Sequence, residues 1–219
     1  MPDLYRVVFW DFDGTLARRH NLWSGALVDA WRSVKQSADV SVADLRPHLG
    51  AGFPWHDSTV IRQPQSADEW WAALRPVLVG AYVSAGLDPA HAEKAVTRVP
   101  AEFYRPDAWT LVDGAVAALR TTAAAGYRNV ILSNHPPELP TLVDALGLTQ
   151  LVEDTITSAA VGAEKPNPAI FAHAIRSARI INTDDIWRSA TTPSPTSTAH
   201  GTPESRRSSR TAATLIPSE

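Results

Sequence analysis

The chain has 219 residues, of which 44% are hydrophobic and 20% charged, with a formal net charge of −3, which gives no indication of a nucleic-acid or membrane partner. Cysteine is absent, which excludes disulfides, thiol catalysis and cysteine-ligated zinc. The sequence shows no signal-peptide pattern and no apolar run of membrane-spanning length, so we expect a cytoplasmic protein.

The first predicted element is a buried strand, Val7-Val8-Phe9-Trp10, which is followed directly by Asp11-Phe12-Asp13-Gly14. Alternate residues of a strand point the same way, so Asp11 and Asp13 would approach one small space if the extended geometry continues. Two carboxylates in one space need a cation, a shared proton or both, and Mg²⁺ prefers such oxygen ligands. An ordinary Asp-Gly turn after a strand is the alternative.

Residues 17–105 are predicted to be a helical insertion without strands. Ser66-Ala67-Asp68-Glu69 forms a capping box, and Asp88-Pro89 is typical of a helix start. Five of the eight tryptophans lie in this insertion: Trp23, Trp31, Trp55, Trp70 and Trp71. These side chains either fill a small helical core or, in one or two cases, face a substrate.

Strands and helices alternate beyond residue 106, which indicates βαβ units and a parallel sheet. A short buried strand at 129–132 leads into Ser133-Asn134-His135, and a weaker strand at 155–158 precedes the loop that contains Lys165. Ligands of such sheets gather at the carboxyl ends of the strands, where Asp11, Asp13, Ser133 and Asn134 are expected to meet. His135 is assigned to the local loop and not to the site.

Asp11-Phe12-Asp13-Gly14-Thr15-Leu16 resembles the first motif of the haloacid dehalogenase-like (HAD) hydrolase superfamily. The resemblance extends to Ser133 at the end of a core strand and to Lys165, which is followed by Pro166 and Pro168. It implies an α/β fold: a Rossmann-like parallel sheet built from residues 1–16 and 106–187, with residues 17–105 as an inserted helical cap.

The same resemblance implies Mg²⁺-dependent hydrolysis of a small phosphomonoester through an aspartyl-phosphate on Asp11. Asp13 would be the general acid and base, and Asp11 and Asp13 would also hold the metal. The further implied site residues are Lys165 as a catalytic cation, and Ser133, Asn134, Gly14 and Thr15 as substrate-binding residues. Dehalogenases of the superfamily usually lack the second carboxylate, so a phosphatase is favoured over a 2-haloacid dehalogenase. The sequence does not indicate an oligomeric state.

The chain departs from the family after Trp187, where a fourth strand ending in an acidic motif is expected to complete the Mg²⁺ site. Asp184 and Asp185 precede that strand, and no strand is predicted from Arg188 onward because the sequence becomes rich in Ser, Thr, Pro and Arg. We therefore expect a C-terminal part that is truncated or disordered, with an exposed sheet edge.

Back-translation suggests a cause for this departure. One guanine inserted after the Trp187 codon opens a frame that can encode W-A-V-G-D-N-P-V-A-D, a fourth motif of the HAD type. Residues 188–219 are thus predicted to be an irregular tail translated out of frame, and a genuine divergent tail is the alternative. A chain without the fourth motif would be an impaired phosphatase or a non-catalytic remnant.

Overall fold

The computed structural model describes residues 6–35, 39–180 and 186–189. The first half contains β1 (Val7–Trp10), β2 (Ala17–Arg19), α1 (Leu22–Lys35), α2 (Val42–Leu45), α3 (Ala67–Ser84), α4 (Pro89–Val96), α5 (Val99–Phe103) and β3 (Trp109–Leu111). The second half contains α6 (Ala115–Ala124), β4 (Arg128–Ser133), α7 (Leu139–Ala145), β5 (Asp154–Thr157), α8 (Ser158–Val161), α9 (Pro168–Ser177) and β6 (Ile186–Ser189).

A parallel sheet in the order β5-β4-β1-β6 forms the centre of the described fold. Alternate residues of β1 enter the two cores on the opposite faces of this sheet. Val7 and Phe9 pack with α9 on one face, and Val8 and Trp10 pack with α6 and α7 on the other. Helices therefore cover both faces, as the continuous apolar sequence of β1 requires, and the predicted α/β fold with a parallel sheet is confirmed.

The helices α1 to α5 lie between β2 and β3 in the sequence, with α1 packed against α4 and α5, and α3 against α4. The predicted helix starts at Ser66 and Asp88 are confirmed, because each side chain accepts a backbone hydrogen bond at the first turn. Trp31 and Trp70 fill the core of this helical group. Among the described helices, none combines the length and apolar character that crossing a bilayer requires.

Three strands were not predicted from the sequence, and two of them pair with each other. Ala17–Arg19, which the sequence assigns to a strandless insertion, forms an antiparallel pair with Trp109–Leu111. The chain thus enters and leaves the helical group through these two strands, which lie side by side as one short antiparallel ribbon. Strands of three residues are too short to show an alternating pattern, which explains why no strand was predicted there.

The third missed strand is β6, which crosses the predicted boundary between Trp187 and Arg188. Arg188 and Ser189 pair with Phe9 and Trp10 in the sheet, although no strand was predicted from Arg188 onward. The expectation of an exposed sheet edge is wrong along this part of β1, because β6 covers it. Asp184, Asp185 and residues 190–219 lie outside the described residues, so the predictions made for them stay predictions.

Candidate active site

The loop after β1 turns around a single carbonyl group. The oxygen of Phe12 accepts hydrogen bonds from the backbone N–H groups of Thr15, Leu16 and Ala17, at 3.2, 3.0 and 3.1 Å. Gly14 has a φ of +76°, a conformation that residues with a side chain rarely adopt. The glycine after the second carboxylate is therefore required by the turn that ends β1.

Three donors converge on the Oδ1 atom of Asp11. They are the backbone N–H of Phe12 at 2.8 Å, the hydroxyl of Ser133 at 3.2 Å and the ammonium group of Lys165 at 2.8 Å. Ser133 ends β4 and Lys165 lies in the loop before α9, so residues 122 and 154 positions from Asp11 meet at one atom. The structure thus brings Asp11, Ser133 and Lys165 together at the carboxyl ends of the strands, as the sequence predicts.

The position of Lys165 is set by its neighbours. Its backbone N–H donates to Oδ1 of Asn134 at 2.6 Å, and its carbonyl accepts from Nδ2 of Asn134 at 3.0 Å. The ammonium group also donates to the carbonyl of Leu132 at 2.8 Å. Both ends of the Asn134 amide therefore hold the Lys165 backbone, which orients the cation toward Asp11.

Asp13 faces a histidine that sequence reasoning left out of the site. His135 is 1% exposed, and its Nε2 atom lies 3.7 Å from Oδ1 of Asp13, which is too long for a hydrogen bond. Both atoms are buried, and each lacks a hydrogen-bond partner within the described part of the chain. The sequence signal that could have identified His135 is its position directly after Ser133-Asn134 at the end of a strand.

The other ring nitrogen of His135 contacts the helical group. Nδ1 lies 2.6 Å from the hydroxyl of Tyr104, the residue that follows α5. Desolvation raises the pKa of Tyr104 well above its usual value, and the carboxylates of Glu138 and Asp13 raise it further. The hydroxyl therefore stays protonated and shares a hydrogen bond with Nδ1, in which the tautomer of His135 decides which group is the donor.

A cavity of about 490 Å³ opens above these groups. Asp11, Asp13, Ser133, Asn134 and Lys165 line it on the sheet side. Side chains of the helical group form the opposite wall: Leu22, Trp23, Leu49, Phe53, Trp55, His56 and Phe103. Gly14 and Thr15 are not among the described residues that line the cavity, so their predicted contact with substrate stays a prediction.

A larger cavity of about 770 Å³ lies beside the β2–β3 pair and α1. Arg18, Arg19, Arg32 and Arg105 line it together with Asp29, and the two cavities have no lining residue in common. Arg19 is already paired with Asp29 at 2.7 Å. Because the paired carboxylates, the lysine and the serine all lie in the smaller cavity, we assign the active site there.

The donor set of the smaller cavity fits Mg²⁺ in part. Mg²⁺ is commonly bound by one or two carboxylates, substrate phosphate and several waters, and Asp11 and Asp13 supply the two carboxylates. The buried, unpartnered Oδ1 of Asp13 is one oxygen that such an ion would satisfy. Within the described ranges, however, no group of three or more His, Cys, Asp or Glu side chains is arranged to hold a metal.

A second buried carboxyl group lies next to the site. Glu164 is 3% exposed, and its Oε2 atom has no hydrogen-bond partner among the described residues. Desolvation raises the pKa of Glu164, while a hydrogen bond from Ser158 and the charges of Arg62 and Lys165 act in the opposite direction. Sequence reasoning did not single out this residue, because a glutamate before a lysine is ordinary in a loop.

The comparisons with known proteins agree with this geometry. A family model described as haloacid dehalogenase-like hydrolase matches residues 5–184. Haloacid dehalogenase-like hydrolase domain-containing protein 3 from Homo sapiens is 31% identical over 178 residues, which cover 80% of this chain and 70% of the human protein.

Two solved structures have a similar fold. One is a predicted phosphoglycolate phosphatase from Haemophilus somnus 129PT, with a TM-score of 0.57 and 16% identity, over 84% of this chain and 76% of that one. The other is L-2-haloacid dehalogenase from Xanthobacter autotrophicus with chloropropionic acid covalently bound, with a TM-score of 0.57 and 19% identity, over 84% and 68%. At these identities the likeness extends to the fold alone.

Proposed function

Because the chain belongs to the haloacid dehalogenase-like hydrolases, we propose that it hydrolyses a small phosphomonoester with Asp11 as the nucleophile. The observation that supports this best is the convergence of Lys165 and Ser133 on Oδ1 of Asp11, with Asp13 lining the same cavity. Lys165 and Ser133 supply the positive charge and the hydrogen-bond donors that a phosphoryl group needs beside an in-line nucleophile.

In the first step, a carboxylate oxygen of Asp11 forms a bond to phosphorus while the bond from phosphorus to the ester oxygen breaks. The departing alkoxide is a poor leaving group, and Asp13 would donate a proton to it. In the second step, Asp13 takes a proton from a water molecule, whose oxygen attacks phosphorus and releases Asp11 and inorganic phosphate. The two steps return both carboxyl groups to their starting states.

Mg²⁺ bound at Asp11 and Asp13 would offset the negative charge of the Asp11 carboxylate and the phosphate. Lys165 supplies a further cation at Oδ1 of Asp11. Asn134 acts indirectly, because its amide orients Lys165 through the two backbone hydrogen bonds.

We also propose that residues 17–105 act as a cap over a core formed by residues 1–16 and 106–187. The helical group supplies one wall of the active-site cavity, and the indole N–H of Trp71 donates to the carboxylate of Glu138 at 2.6 Å. A cap in this position excludes bulk water that would compete with Asp11 for the phosphoryl group of the ester.

A 2-haloacid dehalogenase is the second candidate from the same superfamily. Displacement of a halide needs no proton donor, whereas departure of an alkoxide does, so the carboxylate of Asp13 favours phosphatase chemistry. A non-catalytic remnant is the third candidate, and its distinguishing property is the absence of any turnover that depends on Asp11.

The test is Asp11→Asn, assayed with p-nitrophenyl phosphate in buffer containing Mg²⁺. We expect turnover to be abolished, because an amide cannot form the acyl phosphate. Asp68→Asn, an exposed aspartate at the start of α3, is the matched control and should keep the activity of the unmodified chain. Equal turnover by the Asp11 variant and the unmodified chain would show that Asp11 is not the nucleophile.

A further inference from the structure

The two walls of the active-site cavity differ in chemical character. The sheet side offers charged and hydrogen-bonding groups, which suit a phosphate. The cap side is formed by six apolar side chains and one histidine: Leu22, Trp23, Leu49, Phe53, Trp55, Phe103 and His56. The part of the substrate that extends away from phosphorus must therefore contact a surface made mainly of aromatic rings.

The aromatic rings of the cap wall form one cluster of two stacked pairs, Trp23 with Phe103 and Phe53 with Trp55, joined by a tilted contact between Trp23 and Phe53. We call this cluster the aromatic stack. Trp23 lies between Phe103 at 4.3 Å and Phe53 at 4.9 Å, measured between ring centroids, and Phe53 stacks on Trp55 at 4.6 Å with an interplanar angle of 20°. Trp23, Phe53 and Phe103 are buried, whereas Trp55 is half-buried at the end of the stack. Packing has thus fixed the rings in advance, which lowers the entropy cost of binding a flat group.

The cap wall lacks a cation. Among the described lining residues of this wall, His56 is the one titratable side chain, and its Nδ1 accepts a hydrogen bond from the backbone N–H of Phe53 at 3.3 Å. A substrate carboxylate or second phosphate would find no Arg or Lys to pair with there. Several sugar hydroxyls would be buried against Leu22, Leu49 and Phe53 without partners, which is costly for each group.

We propose that the substrate is a phosphate ester of an uncharged alcohol that carries a flat aromatic group. This inference rests on the proposed phosphatase function and assigns its substrate class. The aromatic group would lie against the stack of Trp23, Phe53, Trp55 and Phe103, with Trp55 as the ring nearest to solvent. The cavity volume of about 490 Å³ is sufficient for a phosphate together with a ring of this kind.

The first experiment compares two esters whose leaving groups are both primary alkoxides, so that leaving-group reactivity does not decide the result. Benzyl phosphate and glycerol 1-phosphate are assayed with the full chain in buffer containing Mg²⁺. We expect kcat/KM to be at least about tenfold higher for benzyl phosphate, which is the discrimination a hydrophobic pocket usually provides. Equal values, or a preference for glycerol 1-phosphate, would overturn the assignment of the substrate class.

The second experiment measures binding without turnover. Asp11→Asn is titrated with benzylphosphonate and with methylphosphonate by calorimetry, and benzylphosphonate should bind at least about tenfold more tightly. Adding Trp55→Ala should reduce this ratio severalfold, whereas Trp55→Phe should retain most of it because a ring remains. Val83→Ala removes an exposed apolar side chain of α3 outside the cavity and should leave the ratio unchanged.

The outcomes of the two experiments distinguish an error in the proposed substrate class from an error in the proposed phosphatase function. If both phosphonates bind equally and both esters are hydrolysed equally, the aromatic substrate class is wrong and the phosphatase function stands. If no phosphate ester is hydrolysed and neither phosphonate binds, the phosphatase function is wrong and the substrate class falls with it. If Trp55→Ala changes the binding ratio no more than Val83→Ala does, the aromatic stack does not recognise the substrate.

Discussion

At the scale of single residues, His135 lies between Tyr104 of the helical group and Asp13, the proposed general acid. Nδ1 of its ring shares a hydrogen bond with the hydroxyl of Tyr104, and Nε2 lies 3.7 Å from the buried Oδ1 of Asp13. The buried ring beside Oδ1 restricts the space in which the Asp13 carboxyl group can move, although the two groups are too far apart for a hydrogen bond. We therefore propose that His135 and Tyr104 are positioning residues for Asp13, and His135 also lines the active-site cavity.

Tyr104→Phe removes the hydroxyl that orients His135 and leaves the aromatic ring. We expect kcat to fall about two- to tenfold, the effect of one hydrogen bond, with little change in KM. Tyr82→Phe is the matched control, because its hydroxyl donates to the carbonyl of Leu27 inside the cap. Steady-state kinetics decide the matter: an equal change in both variants would mean that the hydroxyl of Tyr104 serves stability alone.

The role of Asp13 as proton donor predicts a dependence on the leaving group. Asp13→Asn should lower kcat for benzyl phosphate by about 10²- to 10⁴-fold, because the alkoxide must then leave without a proton. The loss should be much smaller for p-nitrophenyl phosphate, whose phenolate leaves readily. Parallel assays with both esters measure the difference, and equal losses would contradict the acid role of Asp13.

Glu164 predicts a pH dependence of stability. Because its folded pKa is raised above the usual value of 4.5, its neutral form stabilises the fold fully below pH 4.5, and this contribution is lost as pH rises through the folded pKa. The amide of the Glu164→Gln variant does not ionise, so this variant lacks the pH-dependent contribution to stability. We therefore expect the Tm of the variant, relative to the unmodified chain, to increase with pH from 4.5 upward, as measured by thermal unfolding.

Glu93→Gln, a change at an exposed glutamate, is the control and should give a smaller pH dependence of the same difference. If the Tm difference between Glu164→Gln and the unmodified chain is constant between pH 4.5 and 8, Glu164 does not carry a raised pKa in the folded protein.

At the scale of elements, the segment between Asp57 and α3 ties the cap to the sheet. The backbone N–H of Arg62 donates to the carbonyl of Gly162 at 2.7 Å, and that of Gln65 donates to the carbonyl of Ala159 at 3.0 Å. The side chain of Asn167 adds a hydrogen bond to the carbonyl of Ser58 at 2.8 Å. These bonds hold the cap segment against the loop that contains Lys165.

Gly162 is the residue that this contact constrains most. Its φ is +81°, and a Cβ atom built on it would lie 2.1 Å from the carbonyl oxygen of Arg62. Gly162→Ala should therefore destabilise the protein by more than the roughly 1–2 kcal/mol that the left-handed conformation alone costs. Chemical denaturation measures this effect, together with a loss of turnover as the cap segment is displaced.

The matched control is Gly80→Ala, because Gly80 lies inside α3 with nothing within 4 Å of a built Cβ atom. That change should stabilise the chain by about 0.5–1 kcal/mol, since alanine favours the helix. A stabilising effect of Gly162→Ala would show that the cap segment does not approach the loop as described.

The sequence predicted elements best where a local pattern was strong. The apolar residues of β1, the capping box at Ser66 and the N-cap at Asp88 all act through neighbouring residues, and all three predictions are confirmed. The pairing of β2 with β3 joins residues about 90 positions apart, and it depends on chain folding that no short pattern encodes. His135 escaped prediction for the same reason, because Tyr104 and Asp13 approach it only through the fold.

At the scale of the whole molecule, the order of the sheet explains how distant motifs form one site. Parallel strands β4 and β1 are neighbours, so Ser133 and Asp11 end side by side at the same edge. β6 lies on the other side of β1, with Ser189 paired to Trp10, the residue before Asp11. The chain that follows Ser189 begins Ala190-Thr191-Thr192-Pro193, and its first acidic residue is Glu204.

This whole-molecule arrangement makes the reading frame testable. Insertion of one guanine after the Trp187 codon should place an aspartate at position 191, two residues beyond the end of β6. We expect the re-framed protein to bind Mg²⁺ at least about tenfold more tightly than the present chain. Loss of a residue that only supports a metal ligand weakens metal binding by about tenfold or more, and loss of the carboxylate ligand itself should cost at least as much. It should also hydrolyse p-nitrophenyl phosphate faster.

Both forms are expressed in full and compared by Mg²⁺ titration, thermal unfolding and turnover with and without Mg²⁺. Thr191→Asp in the present frame separates the carboxylate from the rest of the altered sequence. If that single change recovers part of the Mg²⁺ affinity, the missing ligand is the defect, because β6 already pairs with β1 through Ser189. If the re-framed protein matches the present chain in all three measurements, the tail is a genuine part of this protein and the frameshift hypothesis is wrong.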